Sequence, residues 1–229
     1  MVVTSNQVTI TVGQGKCNCP SEEVCMVNGS CPANSFPDEY NPGCCIPCSQ
    51  LIPADITNIS IPDTPVFYYM NVYDNSVHPS CSSCINNCTT KNVQFTVPVS
   101  GKVVDSAGHG ICNTLVQISP SNGQAYVTVD YSNAVCGVFA CSASVTWLIE
   151  LGSAGAYTDS NGNFNTYLVV NASVYSAQIP DGLLYGCYTA PPVNANFIVN
   201  FNVHGTNISN VGTATVLLNS AISKPMPVI

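Results

Sequence analysis

The chain has 229 residues, a formal net charge of −8 and only 7% charged residues, against about 25% in typical soluble domains. Its basic residues are Lys16, Lys91, Lys102 and Lys224, and it contains no arginine. Because nucleic acids and anionic membrane surfaces are bound by clusters of Lys and Arg, the composition argues against both as partners. A surface of Asn, Ser and Thr gives little charge repulsion between copies of a protein. The composition is therefore typical of an extracellular or cell-surface protein that polymerises.

Residues 1–15 are predicted to form an N-terminal extension strand. Val8, Ile10 and Val12 alternate with polar residues until Gly13 interrupts the pattern, and period-two alternation is typical of a strand. Two roles are open for this segment. It is either the first strand of its own fold, or a donor strand that completes the sheet of a neighbouring copy and inserts Val8, Ile10 and Val12 as its apolar side chains.

Fourteen cysteines indicate an oxidising compartment and a framework of disulfides. They form groups of seven, three and four: Cys17, Cys19, Cys25, Cys31, Cys44, Cys45 and Cys48; Cys81, Cys84 and Cys88; Cys112, Cys136, Cys141 and Cys187. Since seven and three are odd, complete pairing requires at least one disulfide to leave each of these groups, and the simplest solution links the two groups. Cys136 and Cys141 are predicted to bridge a short connection.

Residues 16–92 are predicted to form a cystine-rich module and a connector. Cross-links worth about 2–4 kcal/mol each would hold it, because residues 16–50 show no periodicity. A zinc site at Cys45-x-x-Cys48 and Cys81-x-x-Cys84 is an alternative. In the connector we predict one strand, Val66 to Tyr73, whose aromatic residues Phe67, Tyr68 and Tyr69 are either packed or a carbohydrate platform.

Five Asn-x-Ser/Thr sequons are candidate glycosylation sites. They lie at Asn28, Asn58, Asn87, Asn171 and Asn207. Glycans are accordingly a candidate covalent addition to the surface and a candidate ligand class.

Residues 93–229 are predicted to form one β-sandwich domain. Alternating apolar residues predict strands from Val93 to Val99, from Ala125 to Tyr131, from Val145 to Leu151, from Phe164 to Val170, from Ala195 to Val203 and from Val211 to Leu218. Asp105 to Gly110 and Asp159 to Gly162 are typical of turns, because Gly tolerates positive φ and Asp bonds its own backbone. No segment shows helical periodicity, so the fold class is predicted to be all-β.

The two turns and the strands beside them resemble the carboxypeptidase regulatory-like (transthyretin-like, Cna-B-like) family. The matching positions are Gly101, Val103, Asp105, Gly108, Val116, Ile118, Thr158, Asp159, Gly162 and Phe164. The resemblance covers about a third of the chain and implies a transthyretin-like or Ig-like sandwich that serves as an adhesive or scaffolding module. The interval between Ile118 and Thr158 is longer than the family needs, which predicts an extra hairpin there.

No catalytic constellation is apparent, and no enzymatic activity, cofactor or bound metal is expected. His78, His109 and His204 lie in separate segments, and no Gly-x-Ser-x-Gly elbow is present. The sequence contains no run of 18 apolar residues, so no membrane-spanning helix is predicted. The leading hypothesis is a structural subunit of an extracellular filament or surface assembly that polymerises with copies of itself by strand exchange. The alternative is a monomeric extracellular adhesin or carbohydrate-binding module.

Overall fold

The computed structural model describes residues 18–72, 95–136, 139–180 and 182–224. The chain divides into two compact units, residues 1–51 and residues 52–229. The predicted boundary between the cystine-rich module with its connector and the sandwich lies at residues 92 and 93. The structure instead assigns the connector strands to the larger unit, because they pair with the sheets of that unit.

The smaller unit is a three-stranded sheet that is closed by disulfides. Its strands are β1 (Val24–Cys25), β2 (Ser35–Pro37) and β3 (Cys44–Pro47), with β3 in the centre. Cys44 and Cys45 of β3 are buried, and they form disulfides with Cys19 and Cys31. Sulfur bridges therefore occupy the position that a hydrophobic core has in larger domains.

The larger unit consists of two sheets and a short hairpin. The five-stranded sheet has the order β4 (Asp55–Ser60), β6 (Thr96–Val104), β13 (Asn163–Gln178), β11 (Ala143–Leu151) and β8 (Gln124–Tyr131). The six-stranded sheet contains β12 (Ala154–Tyr157), β7 (Leu115–Pro120), β15 (Val193–Val203) and β16 (Ser209–Lys224), and β16 also pairs with β14 (Gly186–Thr189) and β5 (Thr64–Asn71). The hairpin pairs β9 (Val135–Cys136) with β10 (Phe139–Ala140). The pairing of β5 with β16 is parallel, and the other strand pairings of the described residues are antiparallel.

The two sheets form a β-sandwich, which confirms the predicted all-β fold class. Every second residue of β11, and of β15 from Ala195 to Val203, is buried, which is the pattern of strands with one face on a core. Phe164 of β13 and Phe201 of β15 have ring centroids 6.0 Å apart across this core. The Tyr131 hydroxyl of β8 donates a hydrogen bond of 2.9 Å to Ser220 Oγ of β16. No helix occurs in the described ranges.

The observed strands differ from the predicted ones mainly at their ends. Within the described residues β6 begins at Thr96, whereas the prediction began at Val93, which lies outside them. The predicted strand from Val66 to Tyr73 is β5, shifted two residues earlier. The interval between Ile118 and Thr158 holds β8 and β11 with the hairpin β9–β10 between them.

Two aspartate turns pack against each other at one end of the sandwich. A Cβ atom added to Gly110 would lie 1.9 Å from the carbonyl oxygen of Asn161, and one added to Gly162 would lie 2.6 Å from Gly110 Cα. Gly162 also has a φ of 82°, which glycine adopts without the steric cost that side chains impose. Glycine is thus required at both positions for the turns to meet.

Candidate assembly edges

The predicted donor strand lies outside the described residues. Val8, Ile10 and Val12 fall within residues 1–17, as does Cys17. A donor strand would bind at an open sheet edge. The described residues show which edges are open.

The C-terminal half of β13 is an open edge inside the five-stranded sheet. On one side, β11 pairs with β13 from Val170 to Gln178. On the other side, β6 pairs with β13 only from Asn163 to Val169, and the last bond runs from Val170 N–H to the Phe95 carbonyl. Within the described residues no strand pairs with this second side from Asn171 to Gln178. We call this eight-residue segment the open edge of β13.

The open edge has one hydrogen bond to a side chain of the opposite sheet. Ala172 N–H donates to the Tyr68 hydroxyl of β5 at 2.9 Å. Residues of an antiparallel strand direct their N–H and C=O groups alternately to the two neighbours. Since Val170 N–H points towards β6, the backbone groups of Ala172 and Val174 point to the same, open side.

The core is incompletely covered beside this edge. Phe95 and Val174 continue the inward-facing rows of β6 and β13, in which Val97 and Val170 are fully buried. However, Phe95 is 44% exposed and Val174 is 40% exposed. These two inward-facing apolar side chains are therefore less covered than the rest of their rows.

Three other edge strands, β4, β5 and β8, carry features that oppose pairing. Edge strands are commonly protected by charge, proline or irregular backbone. On β5 the protecting residue is Pro65, and on β8 it is the exposed Asp130. On β4 the pairing with β6 is irregular, and Asn58 has a φ of 53°. The open edge of β13 contains no charged residue and no proline, and its irregularity is a β-bulge between Val174 and Ser176.

The strand predicted from Phe164 ends at Val170, so the open edge lies beyond the predicted strand. The signal that could have revealed it is the length of the neutral segment, because sixteen residues from Asn163 to Gln178 lack charge, Gly and Pro.

The aromatic cluster of β5 serves packing instead of forming a carbohydrate platform. Phe67 is buried, and the Tyr68 ring lies edge-on to Phe95 at 5.5 Å and 6.0 Å from Trp147. Of the three aromatic residues, only Tyr69 is exposed, at 42%. Two of the three rings are thus engaged in packing, the interpretation that the sequence favoured, and a carbohydrate-binding role for the exposed Tyr69 stays a prediction.

The two aspartate turns are organised by hydrogen bonds to carboxylates. The Asp105 carboxylate accepts bonds from the N–H groups of Ala107 and His109 and lies 3.0 Å from His109 Nδ1. Burial alone would raise the pKa of Asp105, but the bonds from His109 and Ala107 lower it below its usual range. Burial alone would also raise the pKa of Asp159, but the hydrogen bonds from Asn163 and Asn161 lower it below its usual range. Both carboxylates thus stabilise their turns by accepting hydrogen bonds from the turn residues.

The described histidines do not form a cluster with nucleophilic residues. His109 pairs with Asp105, and His204 is exposed in the turn after β15, where its N–H donates to the Leu115 carbonyl. His78 lies outside the described residues. The absence of enzymatic activity stays a prediction.

Disulfide bonds are present in both units. Cys136 is bonded to Cys141 across the hairpin, as the short spacing predicted. Cys45 is bonded to Cys31, so its sulfur is not available as a thiolate for the alternative zinc site. Disulfides also include Cys25, Cys48, Cys112 and Cys187. The predicted link between the first group and Cys81, Cys84 and Cys88 falls on residues outside the described ranges.

Four of the five sequons lie on the surface. The side chains of Asn28, Asn58, Asn171 and Asn207 are exposed, whereas Asn87 is outside the described residues. Asn171 is the first residue of the open edge of β13. Occupancy of these sites stays a prediction.

No family model and no curated protein matches the chain. Among solved structures, the chain is similar to the CooA pilin subunit from enterotoxigenic Escherichia coli, with 12% identity and a TM-score of 0.27. The match covers 74% of this chain and 99% of the pilin. A TM-score this low does not define a shared fold.

The all-β architecture agrees with the resemblance to the transthyretin-like family, but membership of that family stays a prediction. Gly101 and Phe164, two of the matching positions, are in contact, because a Cβ atom on Gly101 would lie 2.4 Å from the Phe164 ring. The described residues also contain no helix long and apolar enough to cross a bilayer.

Proposed function

We propose that this protein is a structural subunit of an extracellular filament or surface assembly, in which copies are joined by strand exchange. The proposed role is structural rather than enzymatic. The observation that carries the proposal is a β-sandwich in which, among the described residues, one edge lacks charge and proline and has partly exposed inward-facing apolar residues beside it. Such an edge is a template for another chain to add a strand.

Composition supports the same role. Net repulsion between copies is small for a surface with so few charges, and disulfides let the separate units withstand conditions outside the cell. Strand exchange would add main-chain hydrogen bonds for strength and alternating apolar side chains for register. Residues 1–12, with Val8, Ile10 and Val12 inserted, are the proposed donor.

The assembly state of the native, unreduced protein is the measurement that tests this proposal. We expect electron microscopy to show filaments or a regular layer, and size-exclusion chromatography to show material far above the 24.0 kDa of one chain. Deletion of residues 1–12 is expected to leave a folded monomer. A chain with Val8, Ile10 and Val12 replaced by threonine keeps the length and strand propensity of the segment and should also remain monomeric.

Two results would contradict the proposal. If the native chain is a discrete 24.0 kDa species at all concentrations, the alternative of a monomeric adhesin or binding module is favoured. If polymers persist without residues 1–12, assembly does not use this strand. The alternative would depend on Tyr69, since Phe67 and Tyr68 of β5 are packed.

A further inference from the structure

We infer that the open edge of β13, Asn171 to Gln178, is the acceptor for residues 1–12 of a second copy of this chain. This inference rests on the proposed function and adds the partner surface to it.

Part of the backbone of the open edge is available to a partner strand. Within the described residues, the ladder on the side of β13 that faces away from β11 ends at Val170. Beyond Val170, the N–H group of Ala172 donates to the Tyr68 hydroxyl, so a partner strand would have to replace this bond or pair around it. Since Tyr68 belongs to the opposite sheet, this bond also fixes β5 over the edge. An added strand would lie in line with β6 and would extend the sheet without moving β11.

The side chains beside the edge match an alternating apolar strand. A strand paired with β13 would direct every second side chain inwards, towards Phe95, Val174 and the ring of Tyr68. Phe95 and Val174 are the inward-facing residues that remain 44% and 40% exposed. Val8, Ile10 and Val12 occur at every second position, so all three would face this uncovered region and remove it from water.

The lengths and charges of the donor segment and of the open edge are also compatible with pairing. Eight residues of strand span about 26 Å, and the three apolar residues of the donor span five residues of strand, so the pattern fits within the edge. Neither residues 1–15 nor the open edge contains a charged side chain. Pairing is therefore not opposed by like charge, in contrast to the edge of β8, where Asp130 is exposed.

Hydrogen exchange of the full chain locates the acceptor directly. We expect exchange of the amides of residues 171–178 that point to the open side, above all Val174, to become at least tenfold slower in the assembled protein than in the dissociated monomer. Protection confined to β8 or β5, with none in residues 171–178, would overturn the inference while leaving the proposed function intact. If the native chain does not assemble, the proposed function fails first.

A matched pair of substitutions provides the second measurement. Val174→Lys places a charge at the inward-facing side of the open edge, and Val169→Lys places one on the same strand at an outward-facing site paired on both sides. Val169 is 50% exposed, so both variants are expected to fold, which their melting temperatures would verify. We expect Val174→Lys to raise the concentration needed for assembly at least tenfold and Val169→Lys to change it less than twofold.

Equal effects of the two substitutions would overturn the inference, because they would indicate a general sensitivity to charge. Competition by a synthetic peptide of residues 1–12 adds a test of the occupant. The peptide should shorten assemblies of the native chain, and a peptide with Val8, Ile10 and Val12 replaced by threonine should not. Protection of residues 171–178 in a monomer, by its own residues 1–12 or 73–94, would refute exchange between copies at this edge.

Discussion

Replacement of Gly110 by alanine is expected to destabilise the larger unit, because the two aspartate turns meet at this residue. The added Cβ would lie 1.9 Å from the carbonyl oxygen of Asn161 and 2.9 Å from Gly162 N. Both are backbone atoms, so neither can move away by a change of rotamer. Overpacking of this kind typically costs about 1–3 kcal/mol, and we expect about 2 kcal/mol here.

Thermal unfolding without reductant measures this effect. For a unit of this size, about 2 kcal/mol corresponds to a decrease in melting temperature of about 4–8 °C. Gly123→Ala is the matched control, since its Cβ would meet the Leu151 carbonyl oxygen at an ordinary 3.5 Å. Alanine at that position should be neutral or stabilising, because it restricts the unfolded chain. If Gly110→Ala melts with or above the native chain, the turns do not pack as described.

Two further predictions concern polar groups of the larger unit. Asp105→Asn should lower the melting temperature at pH 7, because the lowered pKa of Asp105 means that its charged form stabilises the fold. This contribution is present above the unfolded pKa of about 4 and is lost as the pH falls through the folded pKa, so the gap between the variants should close in acid; a constant gap would contradict it. Tyr131→Phe should lower the free energy of unfolding by about 1–3 kcal/mol, because it leaves the buried Ser220 hydroxyl without its donor. Adding Ser220→Ala should recover part of that loss in denaturant titrations, and further loss would refute the explanation.

Local patterns in the sequence predicted much of the sandwich. The alternation from Ala195 to Val203 corresponds to a strand whose odd-numbered residues are all buried. The Asp159 turn begins and ends as predicted because its carboxylate bonds the N–H groups of Asn161 and Asn163. These features depend on residues that are close together in sequence. Such local interactions can be predicted without knowledge of the tertiary fold.

Features that depend on distant pairings could not be predicted in the same way. The parallel pairing of β5 with β16 decides that Phe67 is buried and that Tyr68 faces Trp147 and Phe95, and no local signal specifies it. Within the described residues, β6 pairs with β13 as far as Val169 while β11 continues to Gln178, and this difference in length defines the open edge of β13. Whether a strand lies at an edge depends on which other strands pair with it. The sequence of β13 alone therefore shows only that the strand lacks charge and proline.

The parallel pairing of β5 with β16 has a consequence for biogenesis. The hydrogen bond between Ser223 and Asn71 joins residues 152 positions apart, so β5 has no partner until the ribosome has produced β16. Contacts of such long range slow folding, and the nascent chain would meanwhile present unpaired apolar strands. The larger unit is therefore expected to close its sandwich only after β16 has been synthesised, and the pairing of β5 should be among the last steps of its folding.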